Sequence, residues 1–233
     1  MATKVLPGNH PDSIRLAAEI IRSGGLVAFP TETVYGLGCD ALNSGAAAKV
    51  FEAKQRPTFD PLIVHLADRS MVEMVVKCVP VLAHRLMDAF WPGPLTLILP
   101  KQPAVPDLVT AGLSTVAIRM PAHPVAQALL REVRRPIAAP SANPFGYVSP
   151  TTAQHVHDGL GDRVDLILDG GPCPVGVEST ILALTGDRAE LLRPGSLTLE
   201  AIQAVIGPVD RARSSDETMH MPTATPADHQ RTP

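Results

Sequence analysis

The stretch LVAFPTETVYGLGCDA, residues 26–41, places a short apolar segment directly before a cluster of polar side chains. The apolar run Leu26–Phe29 predicts a buried strand that ends at Pro30. The next residues, 31–38, carry three hydroxyl groups, one carboxylate and two glycines, and they predict a turn. Hydroxyls and exposed backbone amides at a strand end suit a small polar ligand. Threonines that cap a following helix would produce the same pattern.

The remaining chain mixes helical and strand-like segments without strict alternation. One-sided apolar spacing predicts helices at residues 13–24, 44–54, 71–78, 81–90, 124–133, 152–160 and 198–205. Short apolar runs predict strands at residues 62–66, 95–99, 115–119, 136–139, 166–168, 180–184 and 189–193. This mixture predicts an α/β domain with a mixed, twisted sheet. The stretch 210–233 contains no Leu, Ile, Val, Phe, Trp or Tyr, which predicts a flexible tail or linker.

The amino-acid composition argues against several classes of protein. The chain has 233 residues, of which 45% are hydrophobic, and this fits a folded domain rather than a disordered or coiled-coil protein. Its net charge of −3 and its aromatic content of 3% argue against a protein that binds nucleic acid strongly. Three widely spaced cysteines indicate neither a disulfide framework nor a zinc site. The sequence has no membrane-spanning run and no signal-peptide pattern, so we expect a soluble cytoplasmic protein.

Five further segments place cations or small polar residues next to predicted strands. They are KQRPTFDPLIVH (54–65), STVAIRMPAHP (114–124), APSANPFGYVSPT (139–151), DGGPCPVGVESTI (169–181) and LLRPGS (191–196). Lys54 and Arg56 follow a helix and precede a proline, so they could stabilise the helix dipole or clamp a phosphate. Arg119 closes an apolar strand and could pair with a carboxylate of the protein or of a ligand. His65 lies in a predicted apolar strand, where a lone histidine is more often a hydrogen-bonded core residue than a ligand contact.

Taken in order, these motifs resemble the YrdC/Sua5 family. The resemblance rests on PTETVYGLG, K-x-RP followed by PL-IVH, WPGPLT, the strand ending in Arg119, APSAN, GVEST and LLRPG, and it covers residues 8–208. It implies a single domain with a twisted, open sheet and flanking helices, followed by a tail at residues 209–233. It also implies the synthesis of L-threonylcarbamoyl-AMP from L-threonine, bicarbonate or CO2, and ATP, with release of pyrophosphate. That product would pass to a tRNA threonylcarbamoyltransferase.

The resemblance also assigns residues by matching motif. L-threonine would be bound by Thr33, His65, Arg119, Ala139 and Ser179. The catalytic set would be Lys54, Arg56, Ser141 and Asn143. ATP would contact Arg56, Asp60, Thr115, Ser141, Ser149 and Arg193, and Mg2+ would be bound mainly through the ATP phosphates rather than by protein ligands.

Two positions depart from the family pattern, and two other functions compete. Gln55 stands where many relatives have glycine, and Asp60, where they have asparagine, adds a negative charge beside the expected ATP. A non-catalytic RNA-binding module is one alternative function. A related carbamoyl-transfer enzyme is the other, although such proteins usually have a much longer chain with zinc-finger cysteines.

Overall fold

The computed structural model describes residues 3–186 and 188–211. Within these residues, the strands are β1 (Lys4–Pro7), β2 (Val27–Pro30), β3 (Tyr35–Asp40), β4 (Ile63–His65), β5 (Leu95–Pro100), β6 (Thr115–Arg119), β7 (Ile137–Ala138), β8 (Leu166–Asp169), β9 (Thr180–Ala183), β10 (Ala189–Arg193) and β11 (Val209–Arg211). The α-helices are α1 (Pro11–Arg22), α2 (Ser44–Lys54), α3 (Val72–Val75), α4 (Val81–Phe90), α5 (Pro124–Val133), α6 (Ala153–Leu160) and α7 (Leu199–Ile206).

All these strands join one mixed sheet, which confirms the predicted α/β class. The strand order is β1-β8-β2-β3-β7-β4-β6-β5-β9-β10-β11. Strand β6 pairs in parallel with β4 and in antiparallel orientation with β5, which in turn pairs in parallel with β9. The strands β4, β6, β5 and β9 are therefore neighbours in the interior of the sheet.

The segment 35–40 is a strand, so the turn predicted there is wrong beyond residue 34. Strand β3 is fully buried and pairs with β2 in antiparallel register. Its glycines serve packing rather than turning. A Cβ atom on Gly38 would lie 2.7 Å from the ring of Phe29, and one on Gly36 would lie 3.3 Å from Cβ of Ala139. Glycine is required at residue 38 because the ring of Phe29 fills the space of a side chain.

The helices follow the predicted apolar faces, with one exception. Helix α1 buries Ile14, Ala17, Ala18 and Ile21 on one side, as the spacing predicts. The helix predicted at residues 71–78 is instead a 3-10 turn followed by the four-residue α3. The chain leaves the helical path because backbone groups of residues 75–77 hydrogen bond to residues 100–102, beyond the end of β5.

Two strands lie outside the predicted domain of residues 8–208. Strand β1 pairs with β8 at one end of the sheet, and β11 pairs with β10 at the other. Residues 209–211, predicted as the start of the tail, therefore belong to the sheet, because their backbone completes the hydrogen bonding of β10. The rest of the predicted tail, residues 212–233, lies outside the described residues. Across the part of the chain that the structure describes, none of the helices has both the length and the apolar character needed to cross a membrane.

Candidate active site

A cavity of about 220 Å³ lies against the middle of the sheet. Residues that pair across neighbouring strands point to the same face, so strand register defines the rows of side chains that face the cavity. One row runs across β4, β6, β5, β9 and β10. It consists of His65, Arg119, Thr96, Ile181 and Arg193, each paired with the next. All of them except the fully buried Thr96 line the cavity. This polar row brings two arginines to one face of the sheet.

A second row, which lies beside the first and is displaced by two residues on each strand, is apolar. It consists of Ile63, Ala117 and Ile98, which pair across β4, β6 and β5 and line the same cavity. Thr115 lies on this face two residues before Ala117, at the start of β6, and is not among the cavity-lining residues. The cavity therefore has a charged side and an apolar side, which a ligand with an anionic part and a flat apolar part could use.

Arg119 is fixed by protein groups on three of its nitrogens. Its side chain is 4% exposed. Nε donates to the carbonyl of Gly93 at 3.2 Å, Nη1 to Oγ1 of Thr33 at 2.9 Å, and Nη2 to Oε1 of Glu32 at 2.6 Å. The carboxylate partner that the sequence left open is thus present in the protein, while two of the five N–H groups of the guanidinium have no partner within the described residues.

Ser179 links two members of the polar row, Thr96 and Arg193. Its hydroxyl lies 2.8 Å from Oγ1 of the fully buried Thr96. Arg193 donates from Nη2 to this hydroxyl at 3.1 Å, and from Nε and Nη2 to the Ser179 carbonyl at 3.1 and 3.0 Å. Arg193 is therefore oriented by Ser179, the residue directly before β9.

His65 is neutral at physiological pH. Burial, together with the nearby charge of Arg119, lowers the pKa of His65 to about 3. Nδ1 lies 3.2 Å from the carbonyl of Ile63, which can only accept, so a hydrogen bond there requires the proton on Nδ1. His65 is both a buried core residue and a cavity-lining residue.

Arg56 lines the cavity from a loop rather than from a strand. Helix α2 ends at Lys54, and Gln55, which caps it, takes a left-handed conformation with φ of 52°, so the chain turns before Pro57. Nη2 of Arg56 lies 2.8 Å from Oδ2 of Asp60, and the guanidinium also donates to the carbonyls of Asp60 and Pro61. Asp60 therefore pairs with Arg56 instead of standing alone beside a ligand.

Lys54 is not placed in the cavity. Its side chain is among the largest fully buried ones, and Nζ donates to the carbonyls of Ser141 and Asn143. Burial, and secondly the charge of Arg56, lowers the pKa of Lys54 to about 7. Lys54 and Arg56 point to different places because the left-handed Gln55 lies between them. The sequence offered two roles for Lys54, stabilising the helix dipole or clamping a phosphate. Neither role includes the contact that Lys54 makes with the carbonyls of Ser141 and Asn143.

Asn143 and Ser149 line a neighbouring groove and do not line the cavity. Nδ2 of Asn143 donates to the carbonyls of Pro144 and Tyr147, and its buried Oδ1 has no partner within the described residues. The Ser149 hydroxyl donates to Oε1 of Glu178, which lines the cavity. This hydrogen bond lowers the pKa of the Glu178 carboxyl and links the groove to the cavity.

Most of the predicted site residues meet in the cavity. They are Thr33, Arg56, Asp60, His65, Arg119, Ala139, Ser141, Ser179 and Arg193. Lys54, Thr115, Asn143 and Ser149 are not among the lining residues. The ligand that each residue would contact stays a prediction.

The sequence-based site missed three polar residues that organise the cavity. Glu32 binds Arg119, Thr96 binds Ser179, and Glu178 binds Ser149. Glu32 and Glu178 lie in the segments 26–41 and 169–181, which the sequence indicates as candidate site segments. A carboxylate in such a segment could have been predicted to pair with one of the candidate arginines. Thr96 carried no such signal, because a threonine in an apolar strand is ordinary.

The fold and the cavity define the class of this protein: a twisted α/β protein with an arginine-lined cavity against the middle of its sheet. A family model named Sua5_yciO_yrdC, described as "Telomere recombination", matches residues 19–195. The chain belongs to this Sua5/YciO/YrdC family, as its motifs predict.

Several relatives resemble the chain over most of its length. It is 53% identical to the threonylcarbamoyl-AMP synthase of Pyrococcus abyssi over 84% of this chain and 58% of that protein. It is 55% identical to the threonylcarbamoyl-AMP synthase of Bacillus subtilis, over 89% of this chain and 60% of that one. The crystal structure of P. abyssi Sua5 complexed with L-threonine superposes with a TM-score of 0.88 at 49% identity, over 91% of this chain and 63% of that chain. The chain thus spans about three fifths of the length of these relatives.

Proposed function

We propose that this chain makes L-threonylcarbamoyl-AMP from L-threonine, bicarbonate or CO2, and ATP, releasing pyrophosphate. The observation that carries the proposal is the convergence of Arg56, Arg119 and Arg193 on one small cavity with the hydroxyls of Thr33 and Ser179. Three cations beside hydroxyls suit reactants with a carboxylate and several phosphates. Relatives that are 53% and 55% identical are named for this activity, and P. abyssi Sua5 has been crystallised with L-threonine.

The amino acid fits best beside Arg119. Two N–H groups of this guanidinium have no partner among the described residues, and a carboxylate accepts two parallel N–H bonds. Neutral His65 offers an acceptor to an amine, and the hydroxyls of Thr33 and Ser179 offer further polar contacts. The cavity volume of about 220 Å³ is below the usual range for drug-sized ligands, so it suits an amino acid.

The nucleotide must then extend outward from this cavity. Arg56 and Arg193 supply cationic groups to the triphosphate, and Ser141 supplies a hydroxyl. The apolar row formed by Ile63, Ala117 and Ile98 offers a surface for the base. We propose that Thr115 and Ser149 contact the nucleotide only outside the cavity, since neither lines it.

The chemistry needs positioning more than it needs a nucleophile from the protein. The threonine amine adds to CO2, forming an N–C bond with loss of a proton. An oxygen of this carbamate then attacks the α-phosphorus of ATP, and the bond from that phosphorus to the pyrophosphate oxygen breaks. Fixed arginines stabilise the charge that spreads over the phosphoryl oxygens, because they need no reorientation during the reaction.

Mg2+ belongs to the proposal as an ion bound through ATP phosphates and water. The cavity carboxylates of Asp60 and Glu178 are already engaged, by Arg56 and by Ser149. The described residues contain no cluster of three or more His, Cys, Asp or Glu side chains that could hold a metal. We further propose that the enzyme works in the cytoplasm and that its product serves a tRNA threonylcarbamoyltransferase, without strong direct binding of tRNA.

Pyrophosphate release tests this function. The chain is incubated with ATP, Mg2+, bicarbonate and one amino acid at a time, and release is expected to be strongest with L-threonine and to depend on bicarbonate. Serine is the most demanding comparison, since one methyl group contributes only about 1–3 kcal/mol to discrimination. Equal release with alanine or valine contradicts threonine specificity. Tight RNA binding without ATP turnover would favour the RNA-binding alternative.

A further inference from the structure

Glu32 lies behind the cavity, not in it. Thr31 and Thr33 line the cavity, whereas Glu32, between them, does not. Its side chain is 13% exposed, and both carboxylate oxygens are used by the protein. Oε1 accepts from Nη2 of Arg119 at 2.6 Å, and Oε2 accepts from the backbone N–H of Ala122 at 3.0 Å.

Glu32 also joins three segments that carry cavity residues. Its carboxylate binds the end of β6 and the segment after it. Its backbone carbonyl accepts from Val175 N at 3.1 Å, and the carbonyl of Thr33 accepts from Gly176 N at 3.0 Å. The segments around residues 31–34, 119–122 and 175–176 are therefore fastened together at this one carboxylate and the peptide group next to it.

We infer that Glu32 is a positioning residue that sets which N–H groups of Arg119 face the substrate carboxylate, and this inference rests on the proposed function. With Nη2 bound to Glu32, the guanidinium can neither rotate nor shift without breaking a charge-assisted bond. Glu32 also compensates the charge of Arg119, so substrate binding depends on geometry more than on net attraction.

The change Glu32→Gln separates these roles. It keeps the size of the side chain but removes its charge. Arg119 then attracts a carboxylate at least as strongly but loses the charge-assisted bond that fixes Nη2, while the bonds of Nε to Gly93 and of Nη1 to Thr33 remain. We expect kcat to fall about 10- to 100-fold, in line with the effect of a misplacement near 1 Å. The KM for L-threonine should not rise. A rise in KM at unchanged kcat would instead mean that Glu32 contacts the substrate.

A double-mutant cycle tests whether Glu32 acts through Arg119. In an Arg119→Lys background, Glu32→Gln should change kcat less than about twofold. A loss as large as in the wild-type background overturns the inference. Asp40→Asn is the matched control, because Asp40 is a 4% exposed carboxylate that pairs with Arg135 at 2.8 Å outside the cavity. It should lower stability and leave kcat unchanged, and a similar kcat for the two variants would also overturn the inference.

A measurement without turnover separates this inference from the proposed function. The NMR signals of the Arg119 Nη2–H groups, one of which donates to Glu32, should exchange slowly with solvent in the wild type and in Asp40→Asn, and quickly in Glu32→Gln. Unchanged exchange overturns the positioning role, whether or not the protein makes pyrophosphate. If Glu32→Gln does not fold, Glu32→Asp serves, because its shorter carboxylate cannot reach both Arg119 and Ala122. Wild type without threonine-dependent pyrophosphate release refutes the proposed function alone.

Discussion

Two arginines face the same cavity from regions of different construction. Arg119 ends a central strand, is 4% exposed, and pairs with Glu32, which is 13% exposed. Arg56 lies in the loop after α2, is 13% exposed, and pairs at 2.8 Å with Asp60, which is 39% exposed. Both regions present a guanidinium and a carboxylate, but only the first is enclosed by the sheet.

This difference separates the contribution of each pair to stability from its contribution to function. A buried pair that loses one partner leaves an uncompensated charge in the protein, whereas an exposed pair is screened by water. The Arg119 region should therefore couple folding to ligand binding, while the Arg56 region should affect ligand binding alone. Four substitutions test this contrast.

Arg119→Ala should have the largest effect, because it combines both losses. Glu32 is left buried without its cation, which destabilises a protein by about 3–5 kcal/mol. Threonine-dependent turnover should fall about 100- to 1000-fold, as for other positioned donors. Chemical denaturation and calorimetry with L-threonine and ATP measure the two effects. Unchanged threonine affinity would make Arg119 a purely structural residue.

Arg56→Ala should remove as much turnover with little effect on folding. The pair with Asp60, whose carboxylate is 39% exposed, is partly screened by water and contributes about 1 kcal/mol or less, while a lost phosphate donor costs about 100- to 1000-fold in rate. Arg56→Lys should restore only part of the rate, because a point charge does not reproduce the planar fork. Turnover and melting temperature are measured on the same preparation. Near-normal turnover would assign Arg56 to the helix-dipole role.

Lys54→Met tests the buried cation between these regions through pH. Burial lowers the pKa of Lys54 to about 7 in the folded state, from 10.5 in the unfolded state. Between these values the unfolded chain binds one more proton, so the contribution of Lys54 to stability rises with pH by about 1.4 kcal/mol per unit. This rise is complete above pH 10.5 and absent below pH 7.

The difference in unfolding free energy between wild type and Lys54→Met should therefore change by about 2–3 kcal/mol from pH 7.5 to 9.5. Lys49→Met, at an exposed position on the same helix, is the control for the loss of a lysine. A difference that stays constant across this range would show that the Lys54 amine does not titrate there.

Asp60→Asn should have the smallest effect, and in the opposite direction. It releases Arg56 from its ion pair, so the guanidinium meets less competition for a phosphate. Because exposed pairs contribute about 0.2–1 kcal/mol, the KM for ATP should fall no more than about fivefold. The effect should shrink at high salt, since Asp60 is 39% exposed. A higher KM would mean that the Asp60 carboxylate itself assists ATP binding.

Much of the fold could be predicted because it depends on local patterns. The apolar spacing of α1 and the run before Arg119 determine a helix face and a buried strand wherever those segments lie. The segment 35–40 could not be assigned, since its two glycines are typical of turns. In the structure these glycines belong to a strand. Gly38 has no side chain because the ring of Phe29, on the neighbouring strand, occupies the space where one would lie.

The sequence by itself determined the α/β class, the family and nine of the nineteen residues that line the cavity, because these follow from motifs and local apolar spacing. Only the tertiary structure decided what each residue contacts. Arg119 pairs with Glu32, which is 87 residues away in the sequence, and Lys54 donates to the carbonyl of Ser141 at the same sequence separation. Such partners depend on strand order and register, which no local pattern specifies. The same cationic character thus produced a cavity-lining arginine at residue 56 and a buried lysine at residue 54.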